Sequence, residues 1–178
     1  MKRILMLGPT GAGKTTLARQ LAQTFDLHHI ELDSLFWGPN WSEKPKEAFF
    51  AQLAPQIARE RWVIDGNYSF AREVIWPKAD TAVWLDYPLP IIFWRLFWRT
   101  LRRTIGRERL WNDNRERLAT QFLSRDSLFL WAIKSQKKHR TLYPQLFDSP
   151  AYSDLALIRN RTPGQTERWL KSLPATEQ

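Results

Sequence analysis

The chain has 178 residues, about the length of one compact domain, of which 43% are hydrophobic and 25% are charged, as in ordinary globular proteins. It contains no cysteine, which excludes disulfides, thiolate metal sites and cysteine catalysis. The net charge is +9, and the segment 87–140 holds 13 Lys or Arg against 4 Asp or Glu, so the entire excess of positive charge lies in that segment. This local excess favours an anionic partner, either phosphates or nucleic acid.

Hydrophobic patterning predicts an alternation of strands and helices along the whole chain. The predicted elements are, in order, a strand over 3–8, a helix over 14–25, a strand over 28–32, a helix over 46–61, strands over 62–65 and 81–86, a long helix from about residue 89, a helix over about 115–140, a strand over 155–158 and a helix over 164–173. This order implies one α/β domain over 1–178, in which a five-stranded parallel sheet is covered by helices on both faces. In such sheets the ligand lies at the carboxyl ends of the strands.

A phosphate-binding loop stands between the first strand and the first helix. Gly8-Pro9-Thr10-Gly11-Ala12-Gly13-Lys14-Thr15 matches the pattern G-x-x-x-x-G-K-[ST] in full. Its glycines let successive backbone N–H groups point at phosphates, Lys14 would reach the β- and γ-phosphates, and Thr15 would bind Mg²⁺. The apolar strand before it and the amphipathic helix after it argue against a chance glycine turn. With Thr16, these residues form the predicted site for ATP and Mg²⁺.

Carboxylates lie at the predicted carboxyl ends of three strands. Asp65 is placed to hold a Mg²⁺-bound water beside Thr15, although an aspartate before Gly66 also suits a turn or helix cap. Asp33 follows the second strand, where it could position or deprotonate an acceptor hydroxyl, or cap the short helix that follows. Asp86, at the end of the fourth strand, is interpreted as a turn residue.

Arginines share one face of the long central helix, because Arg95, Arg99 and Arg102 are spaced i, i+4, i+7. The series continues through Arg103, Arg107, Arg109, Arg115, Arg117 and Arg125. Three interpretations fit this pattern: cations that close over a transferring phosphoryl group, a surface that neutralises a nucleic-acid backbone, or a solvated helix face. The phosphate-binding loop favours the first, which makes 87–140 a basic, helical, lid-type region.

Ten tryptophans are present, and most are expected to pack in the core. Trp37 and Trp41 lie instead on a predicted loop at a strand end, where they could stack on a planar acceptor. No membrane segment is expected, because the longest uncharged apolar run near the middle, Tyr87–Trp94, is far shorter than a membrane span. The N-terminal apolar run ends at Gly8, too early for a signal peptide, so a cytoplasmic location is expected.

The chain resembles small P-loop kinases of the adenylate kinase and shikimate kinase type, and within them bacterial proteins called DNA topology modulation proteins. Beside the phosphate-binding loop, the resemblance is carried by Glu31–Trp37, Trp62–Ser69 and Asn112–Glu116. It implies a three-layer P-loop NTPase fold with a helical, arginine-rich lid. It also implies transfer of the γ-phosphoryl group of ATP to a small acceptor, either a nucleoside, a nucleotide or a hydroxyl metabolite. A nucleic-acid-associated ATPase and a regulatory nucleotide-binding protein remain the alternatives.

The resemblance also assigns roles to individual residues. Asp65-Gly66 resembles the Asp-Gly that closes the third strand in nucleoside monophosphate kinases, but Asn67-Tyr68-Ser69 replaces the Phe-Pro-Arg that follows there. Arg161, after the last strand, falls where such kinases hold the adenine. The predicted catalytic set is Lys14, Asp33, Arg99, Arg102, Arg103 and Arg125. The predicted acceptor site comprises Asp33, Trp37, Tyr68 and Arg72, and non-specific binding of nucleic acid is a further expectation.

Overall fold

The structure is a computed structural model and describes residues 1–105 and 128–174. Its strands are β1 (Arg3–Leu7), β2 (His28–Glu31), β3 (Trp62–Asp65), β4 (Thr81–Leu85) and β5 (Ala156–Asn160). Its helices are α1 (Lys14–Phe25), α2 (Leu32–Phe36), α3 (Lys46–Ile57), α4 (Arg72–Ile75), α5 (Leu89–Ile105), α6 (Leu128–Phe147) and α7 (Pro163–Ser172). Short 3₁₀ turns lie at Pro39–Trp41, Ser69–Ala71, Trp76–Lys78 and Pro150–Tyr152.

The five strands form one parallel sheet in the order β2-β3-β1-β4-β5. The pairing places Met6 of β1 beside Asp65 of β3, and Asp65 beside Glu31 of β2. The segments that follow these three strands therefore leave the sheet at the same edge. This arrangement confirms the predicted α/β architecture with the phosphate-binding loop at the carboxyl ends of the strands.

Side chains of the inner strands alternate between two hydrophobic layers, as the period of a strand requires. Leu5 and Leu7 of β1 belong to the layer that α3 and Tyr143 of α6 cover. Ile4 and Met6 belong to the opposite layer, which is covered by α1, α5 and the N-terminal part of α6. Both faces of the sheet are thus buried, which explains why the inner strands read as continuous apolar runs.

Some predicted boundaries differ from those of the structure. The predicted helix over 46–61 ends at Ile57, and four residues separate it from β3, which begins at Trp62. The predicted strand over 155–158 begins and ends later, because Asn160 still pairs with Leu85. Of the predicted helix over about 115–140, the structure describes the part from Leu128, and that helix continues to Phe147, where Tyr143 is buried against Trp84 and Trp76. Within the described ranges, no helix is both long and apolar enough to cross a membrane.

Candidate active site

The phosphate-binding loop is held in a conformation that only glycine accepts readily. Gly11 has φ +79°, and a Cβ there would lie 2.5 Å from Cγ of Leu96 on α5. Gly13 has φ +96° and is the N-cap residue of α1, where no side chain caps the helix and the first turn carries no acidic residue. The first N–H groups of α1 consequently have no side-chain competitor for a phosphate.

Lys14, the first residue of α1, lies between the loop and two carboxylates. Its Nζ donates a hydrogen bond to the carbonyl oxygen of Pro9 at 3.0 Å. Burial lowers the pKa of the Lys14 ammonium, while the carboxylates of Asp65 and Asp33 oppose this shift. The guanidinium of Arg99 adds to the lowering, so α5 also brings a cation into the field of Lys14. These four charged side chains therefore face one cavity.

Asp65, the last residue of β3, is buried with 5% of its surface exposed. Its Oδ2 lies 3.5 Å from Nε2 of His29, and neither atom makes a hydrogen bond within the described part of the chain. A buried carboxylate oxygen without a hydrogen bond is costly unless a ligand completes its contacts, and this feature fits an aspartate that holds a metal-bound water. The geometry is not that of a helix cap, because Gly66 with φ +118° follows and no helix begins there.

A divalent cation at this place would depend on its nucleotide. Among residues 1–105 and 128–174, no three His, Asp or Glu side chains cluster closely enough to hold a metal by themselves. Mg²⁺ in sites of this kind is held by one or two protein ligands together with phosphate oxygens and waters. Thr15 and Asp65, both of which line the cavity, fit that mode of binding.

Asp33 and Tyr68 form a hydrogen-bonded pair near Lys14. The Tyr68 hydroxyl donates to Oδ1 of Asp33 at 2.6 Å, which joins the segment after β3 to the segment after β2. The alternative role of Asp33 as the N-cap of a short helix is wrong, because α2 begins at Leu32 with Glu31 as its N-cap residue. Both partners are half-buried, and both line the cavity.

Protonation in this pair is governed by burial. Burial raises the pKa of the Asp33 carboxyl, whereas the Tyr68 hydrogen bond and the nearby Lys14 ammonium oppose the rise. Burial and the Asp33 charge also raise the pKa of the Tyr68 hydroxyl, so that Tyr68 remains a hydrogen-bond donor. An ionised carboxylate has about four lone-pair sites, which leaves Asp33 free capacity to accept a further hydrogen bond from a hydroxyl compound.

Aromatic rings continue the wall beside this pair. Trp37 and Trp41 contact each other edge to face with ring centroids 5.8 Å apart, and both line the cavity. The Tyr68 ring lies 4.8 Å from the Phe36 ring. An isolated antiparallel bridge joins Trp37 to Glu43 and closes the loop between them. This wall offers flat apolar surfaces next to one carboxylate.

The helix α5 is attached to the phosphate-binding loop by Arg95, a contact that the sequence did not reveal. Nη1 of Arg95 donates to the carbonyl oxygen of Ala12 at 2.7 Å, and the guanidinium lies 5.0 Å from the Tyr87 ring centroid. The predicted catalytic arginines Arg99, Arg102 and Arg103 line the same cavity. The helical spacing of these arginines is the signal that could have assigned Arg95 to the site.

Two predicted site residues lie elsewhere. Arg72 does not line the cavity, since its guanidinium packs 5.3 Å from the ring centroid of Trp76. Arg161, predicted to hold adenine, is exposed and borders a separate small cavity near Asp86. On that side of the main cavity, Pro163 and Thr166 of α7 form the wall instead.

The remaining predictions concern Asp86 and residues outside the described ranges. Asp86 is more than a turn residue: it is 3% exposed and accepts hydrogen bonds from Arg140 and Arg159, each with a contact of 2.6 Å. A buried carboxylate bridged by two arginines is a structural tie between β4, β5 and α6. The predicted catalytic Arg125, together with Arg107, Arg109, Arg115, Arg117 and the segment 112–116, lies outside the described residues.

Sequence reasoning also missed two residues of β2. His29 and Glu31 line the cavity, and Nδ1 of His29 lies 3.8 Å from Oε1 of Glu31. Glu31 in turn pairs with Arg19 of α1 at 2.7 Å. Alternation along a strand puts positions 29 and 31 on the same face, and this was the signal available in the sequence.

Comparison with known proteins supports the same fold. Residues 4–57, from β1 through the phosphate-binding loop to the end of α3, match the model of the "ATPase family associated with various cellular activities (AAA)". This match covers less than half of the chain. No curated protein matches the chain significantly.

Several solved kinase structures are similar in fold. Shikimate kinase from Acinetobacter baumannii, in complex with shikimate, superposes with a TM-score of 0.58 at 17% identity, over 96% of this chain and 90% of that chain. Shikimate kinase from Bacteroides thetaiotaomicron gives a TM-score of 0.55 at 21% identity, over 96% and 94%. An unliganded sugar kinase from Janibacter sp. HTCC2649 gives 0.53 at 18% identity, over 99% and 96%. At these identities the likeness establishes the P-loop NTPase fold.

Proposed function

We propose that the chain is a phosphotransferase that uses ATP and Mg²⁺ to phosphorylate a hydroxyl group of a small acceptor. One observation carries the proposal: Lys14 of the phosphate-binding loop and the hydrogen-bonded pair of Asp33 and Tyr68 line the same cavity, and the Lys14 and Asp33 charges act on each other's pKa there. A cation for the γ-phosphate and a carboxylate for a hydroxyl thus share one cavity of about 3160 Å³. Typical single-ligand pockets enclose roughly 300–1,000 Å³, so the space suits two substrates.

The nucleotide side of the reaction belongs to the phosphate-binding loop and α5. Lys14 would leave the Pro9 carbonyl to contact the β- and γ-phosphates, and the N–H groups of residues 8–16 would hold the phosphate oxygens. Thr15 and Asp65 would hold Mg²⁺, which neutralises phosphate charge when bound. Arg99, Arg102 and Arg103 would stabilise the charge that spreads over the transferring group.

The acceptor side belongs to Asp33 and Tyr68. The acceptor oxygen bonds to the γ-phosphorus while the bond from that phosphorus to the bridging oxygen breaks, and ADP leaves. The hydroxyl proton passes to the Asp33 carboxylate, whose burial-raised pKa makes it a better proton acceptor than a fully solvated aspartate. Tyr68 acts as a positioning residue, because its hydrogen bond fixes the carboxylate.

We assign the whole chain, 1–178, to one domain in which 87–140 forms a basic, lid-type region. The arginines of α5 support this assignment, because Arg95 contacts the phosphate-binding loop and the others line the cavity. Closure of such a region would exclude water from the transferring phosphoryl group. In this proposal Arg125 would contribute a further cation.

Product analysis by mass tests the proposed function. The purified chain is incubated with ATP and Mg²⁺ and with panels of nucleosides, nucleotides, sugars and other hydroxyl metabolites, and phosphorylated acceptors are sought. We expect at least one acceptor to gain a phosphoryl group in amounts equal to the ADP formed, and Asp33→Asn to abolish that product. If ATP is converted only to ADP and free phosphate, and if no acceptor changes the rate of that hydrolysis, the proposal is contradicted.

A nucleic-acid-associated ATPase is the second candidate, and one observation favours it. Trp94 and Trp98 on α5 and Trp131 on α6 are 64%, 49% and 62% exposed, and they line the cavity beside the arginines. Exposed aromatic rings among cations are typical of surfaces that bind single-stranded nucleic acid. If an oligonucleotide stimulates ATP hydrolysis severalfold at physiological salt, this candidate is favoured. If the affinity for the oligonucleotide falls steeply with salt and the oligonucleotide does not change the rate of ATP hydrolysis, the phosphotransferase is favoured.

A further inference from the structure

Two buried polar atoms in the cavity face each other without a hydrogen bond. Nε2 of His29 lies 3.5 Å from Oδ2 of Asp65, and both atoms are closed to solvent. Neither atom makes a hydrogen bond to any other group in the described part of the chain. A buried polar atom without a partner is costly, so two of them at one place indicate a contact that is completed when the site is filled.

The pairing of β2 with β3 explains why these two side chains meet. His29 lies beside Val63, a residue of the hydrophobic layer that α1 covers. Two residues later Glu31 lies beside Asp65, so His29 is the diagonal neighbour of Asp65. Alternation along each strand directs the His29 and Asp65 side chains to the same face of the sheet. The register of the sheet therefore holds the His29 ring next to the Asp65 carboxylate.

The two ring nitrogens of His29 face different carboxylates. Nδ1 lies 3.8 Å from Oε1 of Glu31, and that oxygen already accepts a hydrogen bond from Arg19 at 2.7 Å. Oδ2 of Asp65 has no donor among the residues that the structure describes. A ring proton is therefore worth more on Nε2 than on Nδ1, because Nε2 is nearer to its carboxylate and faces the oxygen that lacks a donor.

Lys14 does not take the place of this donor. Its Nζ donates to the carbonyl oxygen of Pro9, and the Lys14 and Asp65 charges act on each other across the cavity. In the proposed reaction the Lys14 ammonium turns to the phosphates, and its charge is then shared with their oxygens. Asp65 consequently depends on another group to fix the direction of its carboxylate.

Resting on the proposed function, we propose that His29 is the positioning residue of the metal site: its Nε2–H donates to Oδ2 of Asp65 and orients that carboxylate toward a Mg²⁺-bound water. Groups that orient a metal-site carboxylate in this way typically contribute roughly 10–100-fold to metal affinity. Hydrogen bonds of active sites are often long in the free protein and tighten in the complex. The separation of 3.5 Å needs to shorten by about 0.5 Å to reach the usual range.

Binding without turnover tests the inference. The probe is a non-hydrolysable ATP analogue, titrated into the full chain by calorimetry either with Mg²⁺ or with EDTA. We expect His29→Leu to weaken binding of the analogue with Mg²⁺ by about tenfold and to leave its binding in EDTA unchanged. His29→Gln, whose amide keeps an N–H donor, should recover most of the loss. A loss of equal size with and without Mg²⁺, or of equal size in the two variants, overturns the inference.

A neighbouring histidine supplies the matched control. His28 lies on the same strand, is hydrogen-bonded to Gln56 of α3 at 3.1 Å and does not line the cavity. His28→Leu should leave the Mg²⁺ dependence of binding unchanged, and an effect equal to that of His29→Leu would overturn the inference. In an Asp65→Asn background, His29→Leu should add little to the loss, because His29 acts through that carboxylate. Full additivity of the two losses would contradict this pathway.

Nitrogen-15 NMR of the wild-type chain provides a second test, which does not depend on the stability of a variant. The shifts of the ring nitrogens, recorded with the ATP analogue and Mg²⁺, show which nitrogen carries a proton. We expect His29 to carry a proton on Nε2. A ring that is protonated on Nδ1 alone overturns the inference.

The outcomes distinguish the inference from the proposed function. If an acceptor is phosphorylated and His29→Leu keeps the wild-type dependence on Mg²⁺, the inference fails and the phosphotransferase stands. If ATP is only hydrolysed and His29→Leu selectively loses binding with Mg²⁺, the proposed function fails and the role of His29 stands.

Discussion

Gly11→Ala tests whether α5 and the phosphate-binding loop are packed as one unit. Gly11 has φ +79°, and an added Cβ would lie 2.5 Å from Cγ and 2.9 Å from Cδ2 of Leu96. Leu96 is fully buried, so its side chain has no solvent-exposed space into which to retreat. The substitution therefore combines a strained backbone conformation with overlap in a packed layer.

The two costs are separable in magnitude. An L residue in the left-handed region costs roughly 1–2 kcal/mol. Overpacking a buried site costs roughly 1–3 kcal/mol, because neighbours must leave their preferred rotamers. The expected loss of unfolding free energy is therefore about 2–5 kcal/mol, and in a chain of this size each kcal/mol lowers Tm by about 2–4 °C.

Thermal and denaturant unfolding measure this loss, with Gly164→Ala as the matched control. Gly164 lies in α7, and a Cβ there would meet nothing within 4 Å, so the control should be neutral or slightly stabilising. In a Leu96→Ala background the overlap with the Leu96 side chain is removed, and the carbonyl oxygen of Ile92, 3.2 Å from the added Cβ, is the remaining close contact. Gly11→Ala should then cost less, nearer the backbone cost of about 1–2 kcal/mol. A loss no larger than that of Gly164→Ala, or an undiminished loss in the Leu96→Ala background, would refute this reasoning.

Three further predictions concern the chemistry. Lys14→Ala should remain folded, as measured by circular dichroism, and its kcat should fall on the order of 10²-fold, because transition-state charge builds beside the Lys14 ammonium. An unchanged kcat would show that the phosphate-binding loop has no part in the mechanism. Tyr68→Phe should move the acid limb of the pH profile of kcat/KM to higher pH, because the variant loses the hydrogen bond that opposes the rise in the Asp33 pKa. A shift of that limb to lower pH would contradict the pairing of Tyr68 with Asp33. Asp65→Asn should raise the Mg²⁺ concentration needed for half-maximal activity by a larger factor than it raises the dissociation constant for Mg²⁺-free ATP. A variant that is less stable but has an unchanged Mg²⁺ titration would indicate a structural role for Asp65.

Local patterns in the sequence were sufficient for the framework of the site. The strand before Gly8 and the helix from Lys14 are specified by hydrophobic periodicity and by the loop motif, and the structure has them at the predicted positions. Asp33 and Tyr68 come from segments 35 residues apart, yet both follow strands whose carboxyl ends must meet in a parallel sheet. Their proximity is therefore a consequence of the topology.

The direction of individual side chains could not be predicted, because it depends on which of several neighbours the fold brings within reach. Arg72 follows the third strand closely in sequence, but Trp76 one turn later attracts its guanidinium away from the cavity. Asp86 reads as a turn residue until Arg140 and Arg159, brought from α6 and β5, enclose its carboxylate. The Asp86 contacts leave no local signature in the amino-acid pattern, whereas Arg72 and Trp76 stand four residues apart, a spacing at which side chains on a helix can meet.

Arg95 shows an intermediate case. Helical spacing places it in line with Arg99 and Arg102, so its face was predictable. Its hydrogen bond to the Ala12 carbonyl was not, because that contact depends on how closely α5 approaches the loop, and the close approach is possible only because Gly11 and Gly13 lack side chains.

The central claim is that Asp33 directs the γ-phosphoryl group to an acceptor hydroxyl instead of water. The most direct measurement follows the label of [γ-³²P]ATP into organic phosphate and into free phosphate, in the presence of an acceptor, for the wild-type chain and for Asp33→Asn. We expect the wild type to label the acceptor, and we expect the variant to bind ATP with Mg²⁺ normally and to form no labelled acceptor. Equal transfer by both proteins, or label that appears only in free phosphate with the wild type, would contradict the claim.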